Sequence, residues 1–368
     1  MGKKWGECVM IRLATVFSGI GAPEEALRQL NEEFNIVFAC DNGERELDDE
    51  YDTIMADTAD LTYEERLEYV DNLYVGTGKV NYVKQSYFAN HDITEDRWYE
   101  DVRFIDGQRY NGQVDILVGG SPCQSFSTYG KKQGFEDARG TLFFHYAELI
   151  QQIRPRVFIY ENVIGIKTHD KCKTWKRIKE IFDELDYDIF DAVLNASDYG
   201  LPQTRMRVFV VGFDKRLGVK KFDFPKPIEL TTHATDYLSN NVPLTYYLGQ
   251  KGFEWVTQKE KHEGRSRVNR DIIGCQTANQ QFNWTGDFRL EVPTPEMRAN
   301  NKIYVGTYNG EERVARKLMP EECLRLMGFE NFHIVVSDNN IYRQSGNSIA
   351  VPVLKAIFKE IKKYIQFD

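Results

Sequence analysis

Residues 11–30, IRLATVFSGIGAPEEALRQL, read as a buried strand, a tight turn on Gly19 and Gly21, and a helix with Pro23 near its first position. A missing amide hydrogen costs nothing there. The rhythm continues outward from this unit. NIVFAC (35–40), VDILVGG (114–120), RVFIYENV (156–163) and MRVFVVGF (206–213) are short β-rich runs, and TLFFHYAELIQQI (141–153) and TWKRIKEIFDEL (174–185) carry helical spacing between them. Strands alternating with crossover helices predict an α/β fold with a parallel sheet. After Phe213 the period dissolves into FDFPKPIEL and PTPEMRANN until PEECLRLMGF (320–329), which predicts a second, smaller, irregular domain. The tail SIAVPVLKAIFKEIKKYI (348–365) returns to an amphipathic helix expected to pack on the first domain. The expected boundaries are 1–222 with 342–368 for the large domain and 223–341 for the small one.

The composition agrees with a folded chain. Of 368 residues, 42% are hydrophobic and 28% charged, enough for a sizeable core and against disorder as the main state. No apolar run approaches the ~18 residues of a membrane span, and the start MGKKWGECVM lacks the apolar stretch of a secretory signal. Six dispersed cysteines without a CxxC pair argue against a disulfide framework and a structural zinc site, so a cysteine with a chemical role is expected to be a nucleophile. The net charge of -9 is local: residues 44–71 carry 12 Asp/Glu against 2 Arg, so the remainder is close to neutral. Between Lys215 and Lys317, 17 Lys/Arg face 12 Asp/Glu with tryptophans and tyrosines interleaved, a balance that permits a phosphate backbone as partner without requiring one.

The glycine turn is compatible with an ordinary strand-to-helix loop or with a nucleotide-type cofactor. The GxGxxG fingerprint is not met, because Glu24 stands at the third glycine position and Glu25 follows. Two carboxylates in the first helical turn would repel a pyrophosphate, which disfavours NAD-type chemistry and favours a phosphate-free nucleoside such as S-adenosylmethionine. Asp41, twenty residues past Gly21, ends the next strand at the spacing from which a carboxylate reaches ribose hydroxyls.

At the chemical end, VDILVGGSPCQSFS (114–127) puts Cys123 just past a strand, and Glu161 stands at the end of the following strand. One right-handed crossover brings both to the same rim. In DYGLPQTRMR (198–207), Arg205 and Arg207 lie two apart and are expected to share a face, with forks suited to a planar, oxygen-bearing ring. Each residue alone has a bland reading as core thiol, surface charge or ion pair; their joint order in one α/β sheet does not.

With these motifs together the chain resembles the DNA cytosine-5 methyltransferases, over Phe17 to about Leu354. FSGIG matches the cofactor glycine motif, HDIT (91–94) the adenine site, GGSPCQSFS the Pro-Cys-Gln signature, and ENV (161–163) the glutamate motif. GFEDARGTLFF (134–144), RKLMPEECLRLMGF (316–329) and QSGNSIAVPVL (344–354) follow in family order. The resemblance implies a Rossmann-like class I S-adenosylmethionine-dependent methyltransferase sheet with a target-recognition domain. It implies Cys123 as covalent nucleophile, Glu161 on the ring N3 and amine, Arg205 on the cytosine O2 and Arg207 in support. It places the cofactor among Phe17, Gly19, Ile20, Gly21, Asp41, Asn42, Asp92, Ile93, Pro122, Leu142, Asn347 and Ser348, and DNA on Gln124, Ser125, Lys131, Lys132, Gln203 and Thr277. The implied donor is S-adenosyl-L-methionine, with S-adenosyl-L-homocysteine as product and no metal. The implied partner is double-stranded DNA, with a cognate restriction endonuclease acting separately. A monomer in a prokaryotic cytoplasm, associated with the nucleoid and not with membrane, is the expected setting.

Two departures stand out: Asp41 replaces a frequent Glu, and the acidic insert of about 44–80 is longer than is usual, read as a decorated loop. The rival readings are a tRNA cytosine-5 methyltransferase, which usually has a reduced recognition region, and a catalytically silent DNA-binding relative. About ninety residues between the arginine motif and RKLMPEE favour DNA, and intact Cys123, Glu161, Arg205 and Asn347 oppose silence.

Overall fold

The computed structural model describes residues 10–122, 142–258 and 265–367. The chain divides into two compact units, one of Met1–Leu194, Arg207–Lys226 and Leu354–Asp368, the other of Asn195–Met206 and Pro227–Val353. Residues 195–206 and 342–353, which the sequence reading assigns to the large domain, thus group with the smaller unit.

In the first unit, β1 (Ile11–Val16), α1 (Ala22–Gln29) and β2 (Phe34–Cys40) are followed by α2 (Tyr51–Asp57), α3 (Tyr63–Gly76), α4 (Tyr82–Asn90) and a two-residue β3 (Trp98–Tyr99). Then come β4 (Ile116–Gly119), α5 (Leu142–Ile153), β5 (Val157–Val163), α6 (Lys173–Glu184), β6 (Tyr187–Asn195) and β7 (Met206–Asp214). The strands form one seven-stranded sheet in the order β3-β2-β1-β4-β5-β7-β6. β3, β2, β1, β4 and β5 pair in parallel, while β7 runs antiparallel to β5. All four residues of β4 are buried, as a central parallel strand covered on both faces requires. α5 buries eight of its twelve residues, Phe143 and Tyr146 among them, in a core that includes Phe158, Tyr160 and Phe182.

Register positions the functional loops. Val16 of β1 lies opposite Cys40 of β2 and Gly119 of β4, and Gly119 lies opposite Tyr160 of β5. The loops after β1, β2 and β4, and Glu161 on β5, therefore leave the sheet at one carboxyl rim, where α/β sheets bind their ligands.

The acidic insert is not the decorated loop that its sequence suggests. α2 and α3 form within it and share a core of Ile54, Val70 and Tyr74 with Phe104. α3 starts on a capping box in which the Thr62 hydroxyl accepts the Glu65 N–H at 3.3 Å and Glu65 accepts the Thr62 N–H at 2.8 Å. Six of the twelve carboxylates, Asp52, Asp57, Glu64, Glu65, Glu68 and Asp71, lie on the exposed faces of these helices, and the other six lie in the segments before and between them. The tail does pack on this unit: Lys355 donates to Gln29 at 2.9 Å, and the Tyr364 ring lies 5.3 Å from Phe222.

The second unit holds α7 (Gln250–Thr257), β8 (Ser266–Val268), β9 (Gly286–Glu291), α8 (Pro295–Ala299), β10 (Gly306–Tyr308), β11 (Glu311–Lys317), α9 (Pro320–Arg325) and α10 (Asp338–Asn347); α11 (Val351–Ile361) begins in it and ends in the first. It is less irregular than its sequence suggests, because β10, β11, β9 and β8 form a four-stranded sheet. Arg316 of β11, 1% exposed, reaches Glu322 of α9, 0% exposed, at 2.8 and 3.1 Å, and Glu291 of β9 at 2.6 Å. Glu322 also accepts the N–H groups of Met319 and Ser239. Those bonds account for the RKLMPEE motif: a buried charge pair that must satisfy all its lone pairs. Among the described residues no helix is long and apolar enough to cross a membrane, and no cluster of three or more His, Cys, Asp or Glu could hold a metal.

Candidate active site

The rim is built from the first turn outward. Gly19 and Gly21 both have positive φ, +55° and +79°, and a Cβ on Gly21 would fall 2.0 Å from the His91 ring nitrogen, so the position admits only glycine. His91 Nε2 in turn lies 3.0 Å from the carbonyl of Ile20, whose side chain is buried. Phe17 takes a positive φ of 54°, an uncommon state for an aromatic residue, and packs on the main core. Asp41 closes the turn from β2: one carboxylate oxygen accepts the Gly19 N–H at 2.9 Å, the other the Gly43 N–H at 2.8 Å. Burial pushes the Asp41 pKa up, and the two N–H groups only partly oppose it.

Glu24 explains why the third glycine is missing. It is fully buried and its Oε1 accepts from Thr15 at 3.0 Å and from Tyr87 at 2.6 Å, so a carboxylate is built into the first turn of α1. A Cβ at Gly19 would meet nothing within 4 Å. An open glycine face beside the Asp41 carboxylate, with Glu24 and Glu25 in the first helical turn to repel a phosphate, fits a nucleoside bearing a ribose diol and no phosphate, as S-adenosylmethionine does. Of the other expected cofactor residues, Asp92 is exposed and Ile93 half-buried on the cluster of Ile36, Tyr87 and Trp98. Asn42 uses its side chain on its own loop, donating to Arg45 O at 2.6 Å and accepting the Glu44 N–H. Leu142 begins α5 against the core, and Pro122 is exposed at the end of the described β4 loop. Asn347, exposed, and Ser348, buried, belong to the second unit.

The acid sits where the strand register puts it. Glu161 pairs with Phe209 and Val163 with Arg207 across β5 and β7, so Glu161 and Arg207 are diagonal neighbours on one face. Arg207 Nε and Glu161 Oε1 are 3.1 Å apart, with both side chains mostly buried. Gly119, which ends β4, and Gly120, which follows it, serve space and not φ. A Cβ on Gly119 would meet the Tyr146 ring at 2.7 Å, and one on Gly120 would meet Glu161 O at 2.9 Å and Glu161 Oε2 at 3.1 Å. Gly120 therefore brings the β4 loop against the Glu161 carboxylate three residues before Cys123. Asn162, which sequence reasoning passes over although it sits inside ENV, ties that loop down. It donates to Ser121 O at 2.9 Å and to Tyr160 OH at 2.8 Å, and Tyr160 OH lies 3.0 Å from Ser121 Oγ.

Two of the expected site residues are engaged with main chain of the second unit. Arg205 precedes β7, which begins at Met206, and groups with the second unit, whereas Arg207 groups with the first. Arg205 is 3% exposed, and its guanidinium donates to Gln276 O at 2.6 Å, Gly346 O at 3.0 Å and Ser348 O at 2.5 Å, all within the second unit. It braces main chain rather than reaching for a ring. Gln203, expected on DNA, is fully buried: its amide donates to Leu326 O at 2.7 Å and accepts the Gln276 N–H at 3.0 Å. Thr277 is exposed, and its backbone lies so close to Gly346 that a Cβ there would sit 2.1 Å from the Thr277 carbonyl. Cys123, Gln124, Ser125, Lys131 and Lys132 lie outside the described residues.

A parallel-rich seven-stranded sheet in this order, with an antiparallel β7 and a glycine turn and carboxylate at its rim, is the Rossmann-like methyltransferase architecture. Solved structures share it: an Entamoeba histolytica methyltransferase, EhMeth, has a TM-score of 0.65 at 17% identity, covering 97% of this chain and 99% of that one. Dnmt2 of S. pombe has a TM-score of 0.63 at 15% identity over 96% and 98%. The profile of the C-5 cytosine-specific DNA methylases matches residues 11–363, and the chain belongs to that family. Curated relatives include the type II methyltransferases M1.ScrFI of Lactococcus lactis subsp. cremoris, 38% identical over 68% of this chain and 63% of that protein, and M.HpaII of Haemophilus parainfluenzae, 36% identical over 68% and 72%. M.HhaI of Haemophilus parahaemolyticus is 34% identical over 69% and 77%.

Proposed function

We propose that this protein transfers a methyl group from S-adenosylmethionine to C5 of a cytosine in a specific duplex DNA sequence, through a covalent bond between Cys123 and C6. The observation that carries this is the Glu161–Arg207 pair held against Gly120, three residues before the cysteine. Cytosine C5 is unreactive until the ring becomes an enamine, and addition of the Cys123 thiolate at C6 makes it one. Glu161 meets N3 and the exocyclic amine and steadies the charge that builds in the ring. The O2 contact expected of Arg205 passes to Arg207, whose fork already lies on Glu161 at the rim. Asp41 and the Gly19–Gly21 turn hold the donor's nucleoside end. When bound, the donor supplies an electrophilic methyl group. Loss of the C5 proton then lets the thiolate leave, which restores the aromatic ring and the free cysteine.

The target atoms are inaccessible in a paired base, so the cytosine is flipped out of the duplex. Sequence readout falls to the second unit. The names of the curated relatives support a modification enzyme of the type II class. Its cognate endonuclease is then a separate protein, and the enzyme acts as a monomer in the bacterial cytoplasm on nucleoid DNA.

Incubation with radiolabelled donor and either duplex DNA or tRNA tests the substrate: label in DNA is expected, and label in tRNA alone overturns the DNA assignment. Cys123→Ser should abolish methylation while DNA and S-adenosylhomocysteine still bind. A duplex with 5-fluorocytosine at the target should trap an adduct at Cys123, since fluorine cannot leave as a proton. Attachment elsewhere sinks the scheme.

A further inference from the structure

The acidic insert meets the rim of the sheet at both its ends, and at its far end the residue that does so is Asn81. Asn81, 7% exposed, sits between the insert and α4 and uses its whole amide. Its Oδ1 accepts the Lys84 N–H at 2.9 Å and so caps α4. Its Nδ2 donates to the main-chain carbonyl of Asp41 at 2.8 Å and to Glu100 Oε2 at 2.8 Å. Its Oδ1 also packs on Gly43, where a Cβ would come within 2.3 Å, and Gly43 supplies the N–H that holds the second oxygen of Asp41. Asn81 thus fixes the Asp41 backbone directly and its carboxylate through Gly43.

The insert reinforces this contact from its other end. Arg45 pairs with the same Glu100 and donates to Asn42 O at 2.8 Å, while its guanidinium lies 4.7 Å from the centre of the Tyr74 ring. Tyr74, 1% exposed in α3, donates to Asp101 at 2.8 Å. Glu100 and Asp101 directly follow β3, whose Tyr99 carbonyl accepts the Asp41 N–H at 3.2 Å. The start and the end of the insert therefore converge on Glu100 and on the two residues, Asp41 and Asn42, that follow β2.

We infer that Asn81 is a positioning residue for the donor's ribose, and that the acidic insert serves to hold the Asp41 carboxylate where a vicinal diol can bind it. The inference rests on the reading of Asp41 as the ribose carboxylate. Displacement of that carboxylate by a fraction of an ångström misaligns two hydrogen bonds to charged oxygen at once, which is why a residue that never touches the donor controls its affinity.

The test uses the full-length protein and calorimetric binding of two ligands, S-adenosylhomocysteine and its 2′-deoxyribose analogue. In the native protein the deoxy analogue should bind about tenfold more weakly, the worth of one hydrogen bond to a charged group. Equal binding of the two ligands overturns the ribose reading itself, and this inference with it. Asn81→Ser keeps a hydroxyl that caps α4 but loses the donor to Asp41 and Glu100. Its melting temperature should stay close to native while S-adenosylhomocysteine binds about tenfold more weakly and the gap between the two ligands shrinks to about twofold or less. If the native gap is present and Asn81→Ser leaves it unchanged, whether or not both ligands weaken together, the residue is merely structural and the inference falls. Turnover measures the same effect independently: KM for the donor should rise with kcat at saturation retained.

Discussion

Glu161 and Arg207 face each other because an antiparallel register makes them diagonal neighbours. In the proposed mechanism Arg207 keeps the carboxylate oriented for the ring. Glu161→Gln retains the shape but loses the charge and one acceptor, so kcat should fall by roughly 10²–10³ with S-adenosylhomocysteine binding intact. Arg207→Lys keeps charge without the fork and should fall between native and Glu161→Gln. Single-turnover methylation measures both, and a Glu161→Gln rate within threefold of native removes Glu161 from the chemistry. At the far end of β7, Asp214 has a structural role that pH exposes. Burial alone would raise its pKa, but hydrogen bonds from Arg216 and the charge of Arg154 outweigh it and hold it below the ordinary carboxylate value. A depressed folded-state pKa contributes stability that is present above the unfolded value, ~3.9, and is lost as pH falls through the lowered one. Asp214→Asn should therefore destabilise by about 2 kcal/mol at pH 7, with the difference from native shrinking as the pH is taken below 4. Urea unfolding across that range measures it.

At the scale of elements, the second unit shows why a motif can be plain in sequence while its purpose is not. RKLMPEECLRLMGF has the look of chemistry, yet Arg316 and Glu322 are spent on each other, on Glu291 and on main-chain N–H groups. Removing one member leaves a buried charge without its partner. Arg316→Met should cost about 3–5 kcal/mol, read as a lower urea midpoint, while the same substitution at exposed Arg265 should cost less than about 0.5 kcal/mol. The parallel strands are legible because burial on both faces writes continuous apolar runs such as ILVG. The strands that escape such reading have other patterns. β6 reads YDIFDAVLN, and its Asp188 and Asp191 are paired with Lys220 and Lys167 at the edge of the sheet, so charge interrupts the hydrophobic signal. β11 reads EERVARK, with a buried arginine where a rule of alternation expects an apolar residue.

Across the whole molecule, what sequence order conveys best is which loops reach the rim, since Gly19, Asp41, Gly120 and Glu161 follow from strand ends alone. It conveys poorly which polar side chains stay free. Gln203 and Arg205 lie in the same short run as Arg207, and only the structure separates two main-chain braces from a residue at the rim. The acidic insert likewise could not be read, because its contacts with the rim run through Asn81, forty residues from Asp41, and through Arg45 on Asn42 and Glu100. Charge distribution carries the last consequence. The excess negative charge lies in residues 44–71, whereas the stretch from Lys215 to Lys317 is net positive, so a chain of net charge -9 still offers phosphates a local partner. Phosphate neutralisation by about four side chains implies roughly a hundredfold loss of DNA affinity between 50 and 200 mM salt. Replacing exposed Arg265 and Arg270 together by Gln should weaken binding evenly across sequences and flatten the slope of log K against log salt by about one for each phosphate that is no longer neutralised. Fluorescence anisotropy over a salt series decides it, with S-adenosylhomocysteine binding as the salt-insensitive control. An unchanged slope in the double variant would move the phosphate partners off this surface and onto other parts of the chain.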